Sequence, residues 1–229
     1  MQKLLQLNHR NLSSVKVSFI RHGQTEMNLK SVVQGHADSS LTNLGFEQAA
    51  NFGKANIDNK LKFTKAFCSD LGRTRQTINS ILTNDKINSK LLDSVIYTSK
   101  LRERYYGEGV DGVWSIEKYL QEAADAGVEP RQYEPPGKGI ETLSQLENRG
   151  LNFLETEIVN LNDKDHVLVV THAIFLREMF WLLDNKFGIE GTEHLQRVIK
   201  HLFLNKIIII QTFCPKINAV FPLVQFVSF

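Results

Sequence analysis

A chain of 229 residues is long enough to bury a full core under a central sheet and short for two such cores, so one α/β domain spanning residues 1–229 is expected. Its 27 basic and 25 acidic residues leave a formal charge of +2 with no basic stripe, which excludes the electrostatic footprint of a nucleic-acid binder. No apolar run approaches the ~18 residues of a membrane span, and Cys68 and Cys214 sit in apolar, strand-like runs expected of buried thiols in a reducing, cytoplasmic setting.

The opening stretch, Met1 to Ser14, carries Lys3 and Arg10 without acidic residues and has leucines at Leu4, Leu5, Leu7 and Leu12. This is a faint amphipathic transit-peptide pattern that lacks the usual arginine and serine richness, so mitochondrial association is the minor alternative. Val15 to Ile20 then reads as a buried strand, and Arg21-His22-Gly23-Gln24-Thr25-Glu26-Met27-Asn28 follows where that strand stops. Open α/β sheets bind ligands at the carboxyl ends of their strands. Gly23 permits a sharp turn there. Neutral imidazole can attack phosphorus, and a neighbouring guanidinium can hold phosphate oxygens through forked hydrogen bonds. The competing reading of His22 is a polar strand cap.

Farther along, Thr42 is a candidate helix cap, and Leu44, Ala49, Phe52 and Ala55 define one buried face of a helix running to about Ile57. His36, in the preceding loop, reads as a solvated histidine, with a role in shaping a pocket as the second reading. Phe63 to Cys68 is a second strand candidate. After it, Ser69 or Asp70 can cap a helix whose first-turn Arg73 and unpaired amides face an anion. The loop of cysteine phosphatases needs five residues between cysteine and arginine, and Cys68 precedes Arg73 by one too few.

Val95 to Thr98 is β-rich and leads into Leu101-Arg102-Glu103-Arg104-Tyr105-Tyr106-Gly107. Glu103 is a candidate general acid, and its bland reading is a surface glutamate paired with the flanking arginines. Trp114 to Ala126 reads as an amphipathic helix with Ile116, Tyr119, Leu120 and Ala123 on one side. Pro130 to Gly139 is a loop carrying Arg131 and Lys138, before a helix from Glu141 to Asn160. His166 to His172 reads as a strand with His166 capping its start and His172 at its end. A helix follows from Ala173 to Leu183. Lys206 to Phe213 is a core strand, and Ala219 to Phe229 is a strand, a partner contact or an aggregation hazard.

Four of these segments resemble, in order, the signature of the histidine phosphatase superfamily, also called the phosphoglycerate mutase-like family. They are RHGQTEMN, the Ser69-Asp70-Leu71-Gly72-Arg73-Thr74 stretch, LRERYYG and Thr171-His172. The resemblance spans roughly Val15 to Leu183. It implies His22 as the phosphorylated nucleophile, Arg21 and Arg73 as phosphate ligands with Asn28 a further contact, His172 on the transferring phosphoryl group, and Glu103 as the acid. It also implies a three-layer α/β/α sandwich with a mainly parallel sheet, an inserted lid at about 105–140 covering the active site, and neither metal nor cofactor. LRERYYG and the Pro135-Pro136-Gly137 to Glu141-Thr142 stretch are most similar to the TIGAR-type fructose-2,6-bisphosphatases, so the implied partner is a small phosphorylated metabolite, a sugar or glycerate bisphosphate.

Three departures stand out. Glu108-Gly109-Val110-Asp111-Gly112 replaces a shorter spacer, Ala173 stands where glycine is commoner, and only Arg131 and Lys138 occupy the lid where mutases carry paired arginines. A mutase and a non-catalytic phosphate-ligand-binding member are the alternative functions. The sequence contains no signal for oligomeric state.

Overall fold

A computed structural model describes residues 15–158, 161, 162, 164–187 and 209–214. The Met1–Ser14 and Ala219–Phe229 expectations lie outside these residues. Five strands form one sheet in the order β3-β2-β4-β1-β5: β1 (Val15–Arg21), β2 (Lys65–Ser69), β3 (Ile96–Thr98), β4 (His166–Thr171) and β5 (Ile209–Cys214). The first four are mutually parallel, and β5 pairs antiparallel with β1 at the edge.

Alternation along the buried strands sorts the core into two layers. Val17 and Phe19 of β1, Phe67 of β2, and Val167 and Val169 of β4 face one way, onto α5 (Leu143–Phe153) and α6 (Ala173–Phe187). Ile20, Ala66, Cys68, Leu168 and Val170 face the other way, onto α2 (Asn43–Asp58) and α3 (Gly72–Asn84). The result is the three-layer sandwich. One turn of helix, α1 (Glu26–Leu29), follows β1, and α4 (Ile116–Asp125) belongs to a third, separate cluster. There Tyr106, Tyr119 and Tyr133 stack edge to face over Val33 and Val110. Among the described residues no helix is long and apolar enough to cross a membrane.

Several local expectations shift. Thr42 caps α2 through the Gly45 amide, but the buried face is Gly45, Ala49, Phe52, Gly53 and Asn56, and Leu44 is exposed. The face is rotated because glycines carry the close approaches. A Cβ on Gly45 would sit 2.1 Å from the Gln24 carbonyl oxygen, and one on Gly23 would sit 2.5 Å from that of Gly45. Gly23 therefore serves close packing, with no positive φ. Leu120 of α4 is likewise exposed, leaving Tyr119 and Ala123 as the buried pair. The helix expected from Glu141 to Asn160 begins after the cap Thr142 and passes into a π turn at Leu154–Ile158.

His166 opens β4 as expected and is tied further in. Its Nε2 lies 2.8 Å from Ser18 Oγ, and its ring meets Phe63 edge-on. Burial, aided by Lys16, pushes its pKa down to about 4. The unfolded chain, with an ordinary value near ~6.5, then binds the extra proton between about pH 6.5 and 4, so stability falls as pH drops through that window. Chemical denaturation at stepped pH should show this slope, and His166→Gln should flatten it.

Candidate active site

The register places the chemistry. Arg21 pairs with Thr171 at the ends of parallel neighbours β1 and β4, and the His22 amide donates to the Thr171 carbonyl at 3.0 Å. The next residue on each strand is therefore a histidine beside a histidine, with ring centroids 5.2 Å apart. β2 flanks β4 on its other side and delivers Ser69, whose hydroxyl lies 2.8 Å from His172 Nε2. The helices following β1 and β4 pack on opposite faces, so the two imidazoles sit at a topological switch point, where such sheets open a crevice.

Each imidazole is electronically prepared. His22 Nδ1 lies 2.8 Å from the Gly23 carbonyl, which can only accept, so Nδ1 carries the proton and Nε2 the lone pair. Burial is the largest cause holding the His22 pKa well below its ordinary value, followed by the charges of Arg73 and Arg21. His172 is depressed for the same leading reason, burial, and then by Arg73 and by His22. Both rings are neutral at neutral pH. The buried Nδ1 of His172 and Nε of Arg73 have no hydrogen-bond partner, and buried polar atoms are rarely left so. A bound oxyanion is the kind of acceptor that such donors lack.

Arg73 is fully buried at the start of α3, with its two terminal nitrogens donating to the Gly35 and Ala37 carbonyls at 2.8 and 2.9 Å. Ser69 and Asp70 do not cap this helix. Leu71 is the cap residue, and the Gly72 and Arg73 amides are taken by the carboxylate of Asp38, which also pairs with Arg73. The start of α6 is occupied in the same way, since Ile174 and Phe175 donate their amides to Glu103. The expectation of free helix amides facing an anion is thus corrected at α3, and the first amides of α6 are taken likewise. Carboxylates from elsewhere in the chain already satisfy them, which leaves side chains to hold a phosphate.

Glu103 is buried, not a surface glutamate paired with its neighbours. Arg102 turns away to a bidentate pair with Asp70 at 2.7 Å, and Arg104 donates to the Glu141 carbonyl. Besides the two α6 amides, Glu103 accepts from the Arg104 amide on Oε1, so Oε2 takes a single N–H and keeps the spare lone pair. Its charge acts on both Arg21 and Arg73. Arg149 holds this segment from behind: it donates to the Lys100, Arg102 and Glu103 carbonyls and forms a bidentate pair with Glu141.

His36 is not a solvated loop histidine. Half-buried, it donates Nε2 to the Glu103 carbonyl at 2.9 Å and packs on the Tyr105 ring. Asn28 spends its side-chain oxygen on the capping box of α1, accepting from the Thr25 amide and hydroxyl, which leaves its NH2 as the group able to reach a ligand. Arg131 is committed to the buried Glu178 at 2.8 Å and lies over the Trp181 ring, and Lys138 is exposed. Asp38, Arg149 and Asp111 were invisible as site components, because each acts across long sequence separations and no local motif marks it, and Ser69, expected as a helix cap, instead meets His172. Among the described residues no group of three or more His, Cys, Asp or Glu is arranged to hold a metal.

A mainly parallel sheet whose switch point carries paired neutral imidazoles, flanked by buried arginines, is a setting suited to binding a phosphate group. The chain belongs to the histidine phosphatase superfamily, whose branch 1 profile matches residues 17–198. Among individual relatives, it is 40% identical to the fructose-2,6-bisphosphatase TIGAR of Bos taurus over 140 residues, 61% of this chain and 49% of that protein. It therefore spans about half the length of this relative. Over 168 residues it is 34% identical to the 2,3-bisphosphoglycerate-dependent phosphoglycerate mutase of Allorhizobium ampelinum, covering 72% of this chain and 77% of the mutase. The crystal structure of phosphoglycerate mutase from Bacillus anthracis covers 90% of both chains with a TM-score of 0.62 at 23% identity, a likeness of fold alone.

Proposed function

We propose that this protein is a phosphatase that hydrolyses phosphate monoesters through a phosphohistidine on His22, acting on a sugar or glycerate bisphosphate such as fructose 2,6-bisphosphate. The observation that carries the reading is the neutral His22 beside His172, with its Nδ1 proton fixed by the Gly23 carbonyl. Arg21, Arg73 and His172, with the NH2 of Asn28, bind the phosphoryl oxygens and offset their charge in the transition state. His22 Nε2 forms the P–N bond as the P–O ester bond breaks, and Glu103 gives its proton to the leaving alkoxide. Glu103 then takes a proton from the attacking water, the P–N bond breaks, and neutral His22 and inorganic phosphate result. Neither metal nor cofactor takes part in these steps. In this reading the chain acts as one cytoplasmic domain, with residues 105–140 as its lid over a small phosphorylated metabolite.

Phosphate release from a panel of monoesters and of sugar and glycerate bisphosphates tests this. Turnover indifferent to EDTA, with the highest kcat/KM on a bisphosphate, is expected; turnover abolished by EDTA rules the mechanism out. The longer match to a mutase favours phosphate transfer between positions of glycerate as the second reading. Arg131, already paired with Glu178, opposes it. Stimulation by a bisphosphate primer would establish it.

A further inference from the structure

The carbonyls that hold Arg73 come from Gly35 and Ala37, and the residue between them, His36, donates its amide to Asp111 Oδ2 at 2.6 Å. Asp111 Oδ1 accepts the Tyr106 amide at 3.0 Å, so one carboxylate joins the loop around Arg73 to the lid. The backbone on either side reinforces the join: Gly112 donates to the Val33 carbonyl at 2.8 Å, and Val33 donates to that of Trp114 at 2.9 Å. Gly35 has φ +51°, and a Cβ there would lie 2.0 Å from Asp111 Oδ1, so this approach requires glycine. The His36 ring closes the circuit onto the Glu103 carbonyl.

On the phosphatase reading above, we propose that Asp111 is a positioning residue for phosphate binding: by fixing the loop 35–37 it shapes the carbonyl cradle that orients the Arg73 guanidinium. It touches no substrate. The residue lies in the stretch where the chain departs from its family's spacing, and the turn that ends at Gly112 brings it inward.

The groups facing Asp111 are Arg73 from α3, Glu103 and Tyr106 from the segment after β3, and His36 from the loop itself. Burial raises its pKa to about 6, opposed by the His36 and Tyr106 amides and by Arg73, and reinforced by Glu103. As pH falls through about 6, the carboxyl gains a proton, loses its charge opposite Arg73 and gives up acceptor capacity. The cradle then slackens.

Sulfate, a dianion throughout this range, serves as the probe in calorimetric titrations of the full chain. Asp111→Asn should weaken sulfate binding about tenfold, the scale on which a lost hydrogen bond to a charged group acts, and should raise KM for a monoester by a similar factor with a smaller change in kcat. The parent protein should bind sulfate less tightly at pH 5 than at pH 7, and the variant should not. Gly35→Ala, which pushes on the same carboxylate from the opposite side, should reproduce the loss and stands in if Asp111→Asn fails to fold.

If Asp111 were only a nearby negative charge, Asp111→Asn would tighten sulfate binding, and that outcome overturns the proposal. Arg73→Ala separates the two levels. Sulfate binding lost in Arg73→Ala but kept in Asp111→Asn removes the positioning role alone; binding kept in both removes the phosphate site itself.

Discussion

His22→Ala is expected to abolish phosphate release, with kcat down by about 10⁴-fold or more, the scale on which nucleophile replacements act. The ring is buried but makes one hydrogen bond, to the adjacent Gly23 carbonyl, so the variant should stay folded, with a stability change of about 1 kcal/mol or less. Trapping distinguishes loss of the nucleophile from loss of binding. Acid-labile, alkali-stable phosphate should accumulate on the parent protein during turnover and be missing from the variant, while sulfate still binds. Residual turnover within tenfold of the parent would assign the attack to another group. The acid limb of the parent's pH profile should fall below pH ~6.5, because burial and the two arginines delay protonation of His22.

Glu103→Gln should reduce kcat by about 10² to 10⁴-fold on esters with poor leaving groups. Its effect depends on the leaving group. An activated ester such as p-nitrophenyl phosphate expels an oxygen that needs no proton, so its first-turnover burst should survive while steady-state turnover, which needs the base for water attack, drops. Some thermal stability should also be lost, since the amide presents an NH2 to amides that Ile174, Phe175 and Arg104 now donate to two carboxylate oxygens. A first-turnover burst lost equally on activated and unactivated esters would mean that Glu103 serves as a helix cap alone.

Bovine TIGAR is named for a bisphosphatase activity and the rhizobial mutase for its dependence on a bisphosphate. In this structure Arg131 is already engaged by Glu178, and Lys138 is exposed.

The sequence by itself determined the parts that depend on short-range pattern. An apolar run ending in Arg21-His22 and another ending in Thr171-His172 announce strand ends, Thr42 announces a helix start, and the four ordered motifs name the family. Only the tertiary structure decided what those parts face. The parallel pairing of β1 with β4 sets the two imidazoles 5.2 Å apart, although His172 lies 150 positions beyond His22 in the numbering. Asp38 and Glu103 consume the helix amides expected to be open, His36 turns inward to a carbonyl, and Asp111 reaches a loop 75 positions away. Hydrogen bonds and charges act through space over a few ångströms, and sequence periodicity reports only the neighbours within a turn or a strand.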